Sequence, residues 1–474
     1  MADRADLRVV NARVVTPAGE IDGGVAAADG EIVAVGADRN LPDADRTIDA
    51  EGNYLVPGFI DPHVHWGLSR YEYEYHEGLA HDFETETRGA VHGGVTTVVN
   101  FLLQREPYLP DMDYFVEAGE SNSYIDFAYH AIVHQDHHVE EIEALAEAGV
   151  RSFKVFFNWY KHASPELGID HSDAGRVYRV LDTVSEIPNG VVMFHAENED
   201  LAIEKRRELQ EAGRNDLPAW TEASPNICEA MPIEQIGRMT EYTDSRAYIV
   251  HMSTGEGVDI CERFQEQGVN LHAETLPAFL CHTYDDDLGV WGKISPPLRG
   301  EASKQRLWEG LRTGVVDYVG TDHCPHKIAF KEKDGGQYGD MWDAIPGDNN
   351  GIEYLLPVMV SEGVNKNRLS MERLVEVCAA NNAKRWGLYP SKGALVEGSD
   401  ADMVLVDLEK SAVVDDDFYH TMEPGYSTFH GWELTGLPTH TIVGGEVVVE
   451  DDELQVEKGG RNYLARGDEG VVRA

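Results

Sequence analysis

Eight short apolar runs set the limits on what this chain can fold into. They fall at about residues 55–60, 95–103, 126–133, 152–157, 190–195, 247–251, 269–275 and 315–320. Between most of them lie amphipathic stretches with acidic outer faces, as at 139–148 and 303–312. A short continuous apolar run fits a strand buried on both faces, and strands alternating with helices build a parallel sheet. Eight such units predict an α/β fold, a (β/α)8 TIM-like barrel, with its active site at the C-terminal ends of the strands. The 474 residues exceed one ordinary core and leave room for a smaller second domain.

Both chain ends supply material for that domain. Segments 7–15 and 31–36 alternate apolar and polar residues, with a tight Asp29-Gly30 turn before the second. Similar segments return at 400–407 and 440–449. The pattern predicts antiparallel strands from both ends joined in one small β-sandwich, with the barrel inserted between them. The expected layout is 1–56 and 386–449 for the sandwich, 57–385 for the barrel and 450–474 for an acidic tail. That tail fits either an oligomer contact or a surface wrap.

The residue at the end of each barrel strand then carries the functional question. The first strand runs into Asp61-Pro62-His63-Val64-His65, and alternation on an extended chain turns both imidazoles to one side. Alone, a His-x-His pair is weak evidence for a metal. The fifth strand ends in His195, the sixth in His251 and the eighth in Asp322, while the fourth carries Lys154 among Phe153, Val155 and Phe156. Six ligand-type residues converging on one rim predict a metal site. A lysine in apolar surroundings either loses its proton or finds an acidic partner. Its neutral amine can take up carbon dioxide and become a carbamate able to bridge two ions; a salt-bridged structural lysine is the alternative. Two metals in such a site share one hydroxide and polarise a substrate carbonyl, with Asp322 placed to carry the proton.

Charge narrows the partners. Lys plus Arg number 39 against 85 Asp plus Glu, a formal net charge of −46 spread along the whole chain. Such a surface would repel a phosphate backbone, so no nucleic-acid partner is expected. Combined with well-patterned apolar runs, it points to adaptation to concentrated salt rather than to disorder. No run of about 18 apolar residues occurs, so no membrane span is expected. The N-terminus alternates charges and lacks the apolar centre of a signal peptide. Five scattered cysteines, none spaced Cys-x-x-Cys, read as reduced thiols in a cytoplasmic protein.

Several motifs together resemble the cyclic amidohydrolases, and most closely their dihydropyrimidinase and hydantoinase branch. They are Asp-Pro-His-Val-His (61–65), Ser-Phe-Lys-Val-Phe (152–156), His-Ala-Glu-Asn (195–198), Val-His-Met-Ser-Thr-Gly-Glu (250–256), Ser-Pro-Pro-Leu-Arg (295–299), Thr-Asp-His-Cys-Pro (321–325) and Gly-Ser-Asp-Ala-Asp (398–402). The resemblance spans about residues 54–407. It implies hydrolysis of a small cyclic amide with ring opening, at two divalent ions, usually zinc. His63 and His65 resemble the ligands of one ion and His195 and His251 those of the other. Lys154 as N6-carboxylysine resembles the bridge, and Asp322 the ligand and acid/base. The resemblance also implies a homo-oligomer, dimer or tetramer.

Details depart from the branch pattern. Where the branch has an oxyanion tyrosine five residues after the bridging lysine, this chain has Trp159, with Tyr160 next. Either could supply the donor, Trp159 through its indole N–H. Ser295 matches one amide-gripping residue; for the other, Ile345-Pro346 is followed by Gly347, leaving Asn350 further along as the candidate. Dihydroorotase is the alternative branch on the strength of His326, but Trp66-Gly67 stands where a Leu-Arg pair would grip a carboxylate. Allantoinase stays open. A non-enzymatic scaffold of this fold would show losses at the strand ends, and all six residues are present. The aromatic stretch 66–76, placed before a helix start near Asp82, is expected to form a lid selecting an apolar substituent.

Overall fold

A computed structural model describes residues 4–67, 75–157, 172–347, 351–421 and 426–472. Five strands come first: β1 (Ala5–Thr16), β2 (Gly19–Ala28), β3 (Glu31–Gly36), β4 (Ala44–Asp49) and β5 (Tyr54–Pro57). The barrel strands follow as β6 (Phe59–Val64), β7 (Val95–Leu102), β8 (Asp126–Ile132), β9 (Ser152–Phe157), β10 (Val191–Ala196), β11 (Ala247–Ile249), β12 (Leu271–Thr275) and β13 (Tyr318–Val319). β14 (Met403–Val413), β15 (Glu433–Val443), β16 (Glu446–Glu450) and β17 (Glu453–Leu454) close the sequence of main strands.

Strands β6 to β13 pair in sequence order, all parallel. Val64 bridges in parallel to His323, just beyond β13, and brings the eighth strand back to the first. Every residue of β6 to β10 is buried, which is why these runs carry no polar alternation. Two of the helices between them start on side-chain caps set close behind the strands. Asn198 accepts from Leu201 N at 3.1 Å and starts the helix Glu199–Glu211; Thr254 accepts from Gly257 N at 3.1 Å and starts Gly255–Glu266. Strand, ligand residue and cap thus follow within four residues at His195 and again at His251, which fixes where each imidazole leaves the sheet.

The chain ends meet in one nine-stranded sheet of order β17-β16-β15-β14-β5-β1-β2-β3, with β4 beside β1. Its own core includes Leu7, Val9, Val25, Leu55, Met403, Leu405 and Ile442. The antiparallel expectation needs correcting, because β1 pairs in parallel with both β4 and β5. The run expected at 55–60 is also two strands, since β5 pairs with β14 and only β6 enters the barrel. Gly58 makes the break: a Cβ there would lie 2.0 Å from Thr96 Oγ1.

Residues beyond β17 run back along the barrel. Leu464 N donates to Phe127 O at 2.7 Å, and the buried Arg466 donates to Ser152 Oγ at 2.8 Å as well as to Tyr129 O. At the same end the buried Lys392 lies 2.6 Å from Asp126, 2.7 Å from Asp402 and 3.0 Å from Asp400. The lid expectation fails at its first residue. Trp66 is 1% exposed and packs edge-on against Phe83, so it belongs to the core. Residues 68–74 lie outside the described residues, and the next helix starts at Tyr75, not near Asp82.

Candidate metal centre

At the C-terminal rim of the barrel, β6 brings His63 and His65 against Asp322 from the turn after β13. Asp322 Oδ1 lies 3.0 Å from His63 Nε2 and 3.1 Å from His65 Nε2. Lys154 Nζ, from β9, reaches the same two nitrogens at 3.0 and 3.4 Å. A second pair stands beside this group: His195 Nδ1 is 3.0 Å from His251 Nε2, and the His63 and His251 rings are 5.5 Å apart. All six side chains are buried. Two backbones here adopt the left-handed region without being glycine, His251 at φ 42° and Asp322 at φ 53°. Such conformations persist only where the surroundings over-determine them, and they cluster at functional sites.

Burial and close neighbours set the charge of most of these groups. Burial, with the Lys154 charge added, takes His65 down to about 3. Burial and the neighbouring His195 hold His251 well below the usual imidazole range. Burial likewise lowers Lys154, against the opposing pull of Asp322 and Glu274. Burial works to raise Asp322, but His63 and His65 overcome it and keep the carboxyl ionised. Burial lowers His63 too, but Glu274 and Asp322 more than reverse it. Two imidazoles disfavoured as cations, one raised imidazole, an ionised carboxylate and a lysine with a lowered pKa thus converge here. His63 Nε2, His65 Nε2 and Asp322 Oδ1 suit an ion that takes nitrogen and oxygen ligands.

The groups behind the ligands were not foreseen. Glu274, wholly buried in β12, accepts from His63 Nδ1 at 2.7 Å and from the backbone N–H of His251 at 3.2 Å. It holds the Nδ1 proton and so orients the ring with Nε2 toward Asp322 and Lys154. Gly320 lets it in, because a Cβ there would lie 1.8 Å from Glu274 Oε1. Glu197 stands 3.3 Å from His195 Nε2 and accepts from Ser295 Oγ at 3.1 Å and from Ser224 Oγ. Asp61 accepts the backbone N–H of His63 at 3.0 Å and of Thr321 at 3.2 Å, joining the first and last strands. A charged residue inside an apolar strand was the signal that singled out Lys154, and the same test applied to β12 finds Glu274.

Of the residues expected from sequence, His63, His65, Lys154, His195, His251 and Asp322 come together on one rim. Ser295 stands at its edge, bound through Glu197 to His195. Trp159, Tyr160 and Asn350 lie outside the described residues.

A parallel barrel with four histidines, a buried lysine and an aspartate at its strand ends defines a metal-dependent hydrolase. The sequence matches the model of the amidohydrolase family over residues 54–448. It is 33% identical to the L-hydantoinase of Paenarthrobacter aurescens over 97% of this chain and 98% of that one. It is 30% identical to the D-hydantoinase of Geobacillus stearothermophilus over 98% of each. Among solved structures, the L-hydantoinase (dihydropyrimidinase) from Arthrobacter aurescens superposes with a TM-score of 0.88 at 32% identity, covering 98% of this chain and all of that one. The chain therefore belongs to the amidohydrolase family, and its activity is metal-dependent hydrolysis of a cyclic amide bond. These likenesses do not favour the dihydroorotase or allantoinase alternatives. Among the described residues, no helix is long and apolar enough to cross a membrane.

Proposed function

We propose that this enzyme opens a neutral cyclic imide or ureide ring of the hydantoin or dihydropyrimidine type, using two zinc ions bridged by carboxylated Lys154. The observation that carries the reading is the convergence of Lys154 with His63, His65 and Asp322 beside the His195–His251 pair. The hydantoinase names of the relatives supply the substrate class.

His63, His65 and Asp322 would hold one ion, and His195 and His251 the other. Lys154, carboxylated by addition of carbon dioxide to its neutral amine, would stand between them. When bound, the ions polarise the ring carbonyl and activate a water molecule. The remaining work falls to the chain. Asp322 takes the proton from that water through its carboxylate and returns it to the ring nitrogen as the amide bond breaks. Glu274 and Glu197 keep the His63 and His195 rings oriented throughout. Ser295 and Asn350 would grip the ring amide, and Trp159 or Tyr160 would donate to the developing oxyanion.

A screen of ring opening tests the reading against unsubstituted and substituted hydantoins, dihydrouracil, allantoin and dihydroorotate. Turnover of hydantoins or dihydrouracil is expected to dominate. Much faster opening of dihydroorotate would replace this reading with the alternative branch. Tyr160→Phe should lower kcat by roughly 10²-fold with metal content retained, if Tyr160 rather than Trp159 serves the oxyanion. The reading also includes a dimeric or tetrameric enzyme working in salt-rich cytoplasm, which light scattering at high salt would test for assembly.

A further inference from the structure

Beside the metal centre lies a cavity of about 420 Å³ whose inner wall includes Glu197 and Ser295. Its other walls include Trp220, Trp342 and Phe330, with Arg206 and Lys293 set among them and Lys333 exposed at the mouth. Arg206 is the unusual member. On a chain with 85 acidic and 39 basic residues, a guanidinium should be the easiest group to pair. Yet Arg206 makes no hydrogen bond or ion pair among the described residues, and its Nε is shut away from solvent. Its guanidinium carbon lies 4.9 Å from the Trp220 ring centre, and Lys293 Nζ lies 4.5 Å from the same centre.

Burial lowers Arg206, and Glu197 and Glu199 oppose that from beyond hydrogen-bond range without pairing with it. Glu197 is taken by His195, Ser224 and Ser295. Asp343 is exposed, and Glu199 sits buried in the first turn of the helix that carries Arg206. Lys293 spends its ammonium on backbone carbonyls, 2.5 Å from Ala344 O and 3.3 Å from Trp342 O. Burial and repulsion from Lys331, Arg206 and Lys333 push Lys293 down to about 6, with Asp340 pulling the other way. The cavity begins where the ligands end, since Glu197 touches His195 on one side and Ser295 on the other. Ser295 and the Ile345-Pro346 turn, beside which the substrate amide is expected, both line it.

Resting on the ring-opening reading above, we propose that this cavity is a substituent subsite for an anionic group, a carboxylate carried on the side chain of the ring. Arg206 is its anchor: a planar guanidinium with free N–H donors matches a carboxylate in a way no neutral group can. Trp220, Trp342 and Phe330 pack the methylenes between ring and carboxylate. Lys293 holds the 342–344 backbone that forms one wall.

The test compares kcat/KM of the metal-loaded enzyme for unsubstituted hydantoin, a 5-carboxyalkyl hydantoin and its carboxamide isostere. The carboxylate compound is expected to exceed the carboxamide by tenfold or more. Arg206→Gln should remove that preference, lowering kcat/KM for the carboxylate at least tenfold more than for the unsubstituted ring. Equal rates for carboxylate and carboxamide in the wild type, or a preference that survives in Arg206→Gln, would overturn the proposal. If no ring is opened at all, the reading of the reaction fails. Calorimetric binding of the same three compounds to wild type and Arg206→Gln then decides the cavity by itself. A carboxylate preference that Arg206→Gln abolishes sustains the subsite, and its absence rejects it.

Discussion

His251 and Asp322 hold left-handed backbone conformations, at a cost of order 1–3 kcal/mol each, and gain nothing for folding by it. The return is position: each turns a side chain into the rim that a regular strand end would turn away. In the proposed two-ion centre, Lys154 is the residue on which both halves of the site would depend. Lys154→Ala should lose most bound metal and nearly all turnover, read by metal analysis alongside a ring-opening assay; full occupancy with normal turnover would sink the carbamate reading. If Asp322 plays both proposed roles, Asp322→Ala should cost more activity than its metal loss accounts for, because a proton carrier would go with the ligand. Glu274→Gln keeps the shape but takes the charge from His63 Nδ1. It should weaken metal affinity by about 10–100-fold with the fold intact, as a chelator competition would show.

At the level of elements, the strand ends were legible because two signals coincide there: a fully apolar run and a ligand-type residue closing it. β6, β10 and β11 follow that rule, whereas β9 carries Lys154 inside its run. Pairing partners left no such mark. Nothing local in Tyr54–Pro57 says that it leaves the barrel for β14, because both environments bury it completely. Trp66 looked like a lid residue since an aromatic beside a polar loop reads the same whether it faces substrate or Phe83. Lys392 escaped notice because its three acids are distant in sequence or hidden in the Gly-Ser-Asp-Ala-Asp motif. Burial alone would lower this lysine, but Asp126, Asp402 and Asp400 more than reverse it. Raised above its ordinary 10.5, it contributes stability that is complete below that pH and lost as the pH climbs through the folded value. Lys392→Met leaves buried carboxylates uncompensated and should cost about 3–5 kcal/mol, a drop in Tm of several degrees at neutral pH. An unchanged Tm would mean that Asp126 and Asp402 relax without it.

For the whole molecule, the balance of charge decides the response to salt. The basic residues are largely spent already, several of them on two acids at once: Arg306 pairs with Asp259 and Glu262, and Arg214 with Asp216 and Glu222. With 85 acids to 39 bases, many carboxylates therefore have no basic partner to meet them. Salt acts on both populations with opposite signs. It weakens exposed ion pairs, worth about 0.2–1 kcal/mol each, and it relieves repulsion among the unmatched carboxylates of the compact state. With more than twice as many acids as bases, the second effect should win, and Tm should rise with potassium chloride. The Debye length also sets where the rise falls, contracting from about 30 Å at 0.01 M to about 10 Å at 0.1 M and about 3 Å at 1 M. Screening would thus act mostly below about 0.5 M, whereas a general salting-out of apolar surface keeps growing beyond molar concentration. A melting series from 0.01 to 2 M should climb steeply at first and then flatten. A flat profile, or a rise confined to the upper end, would detach the acidic composition from the stability of this fold.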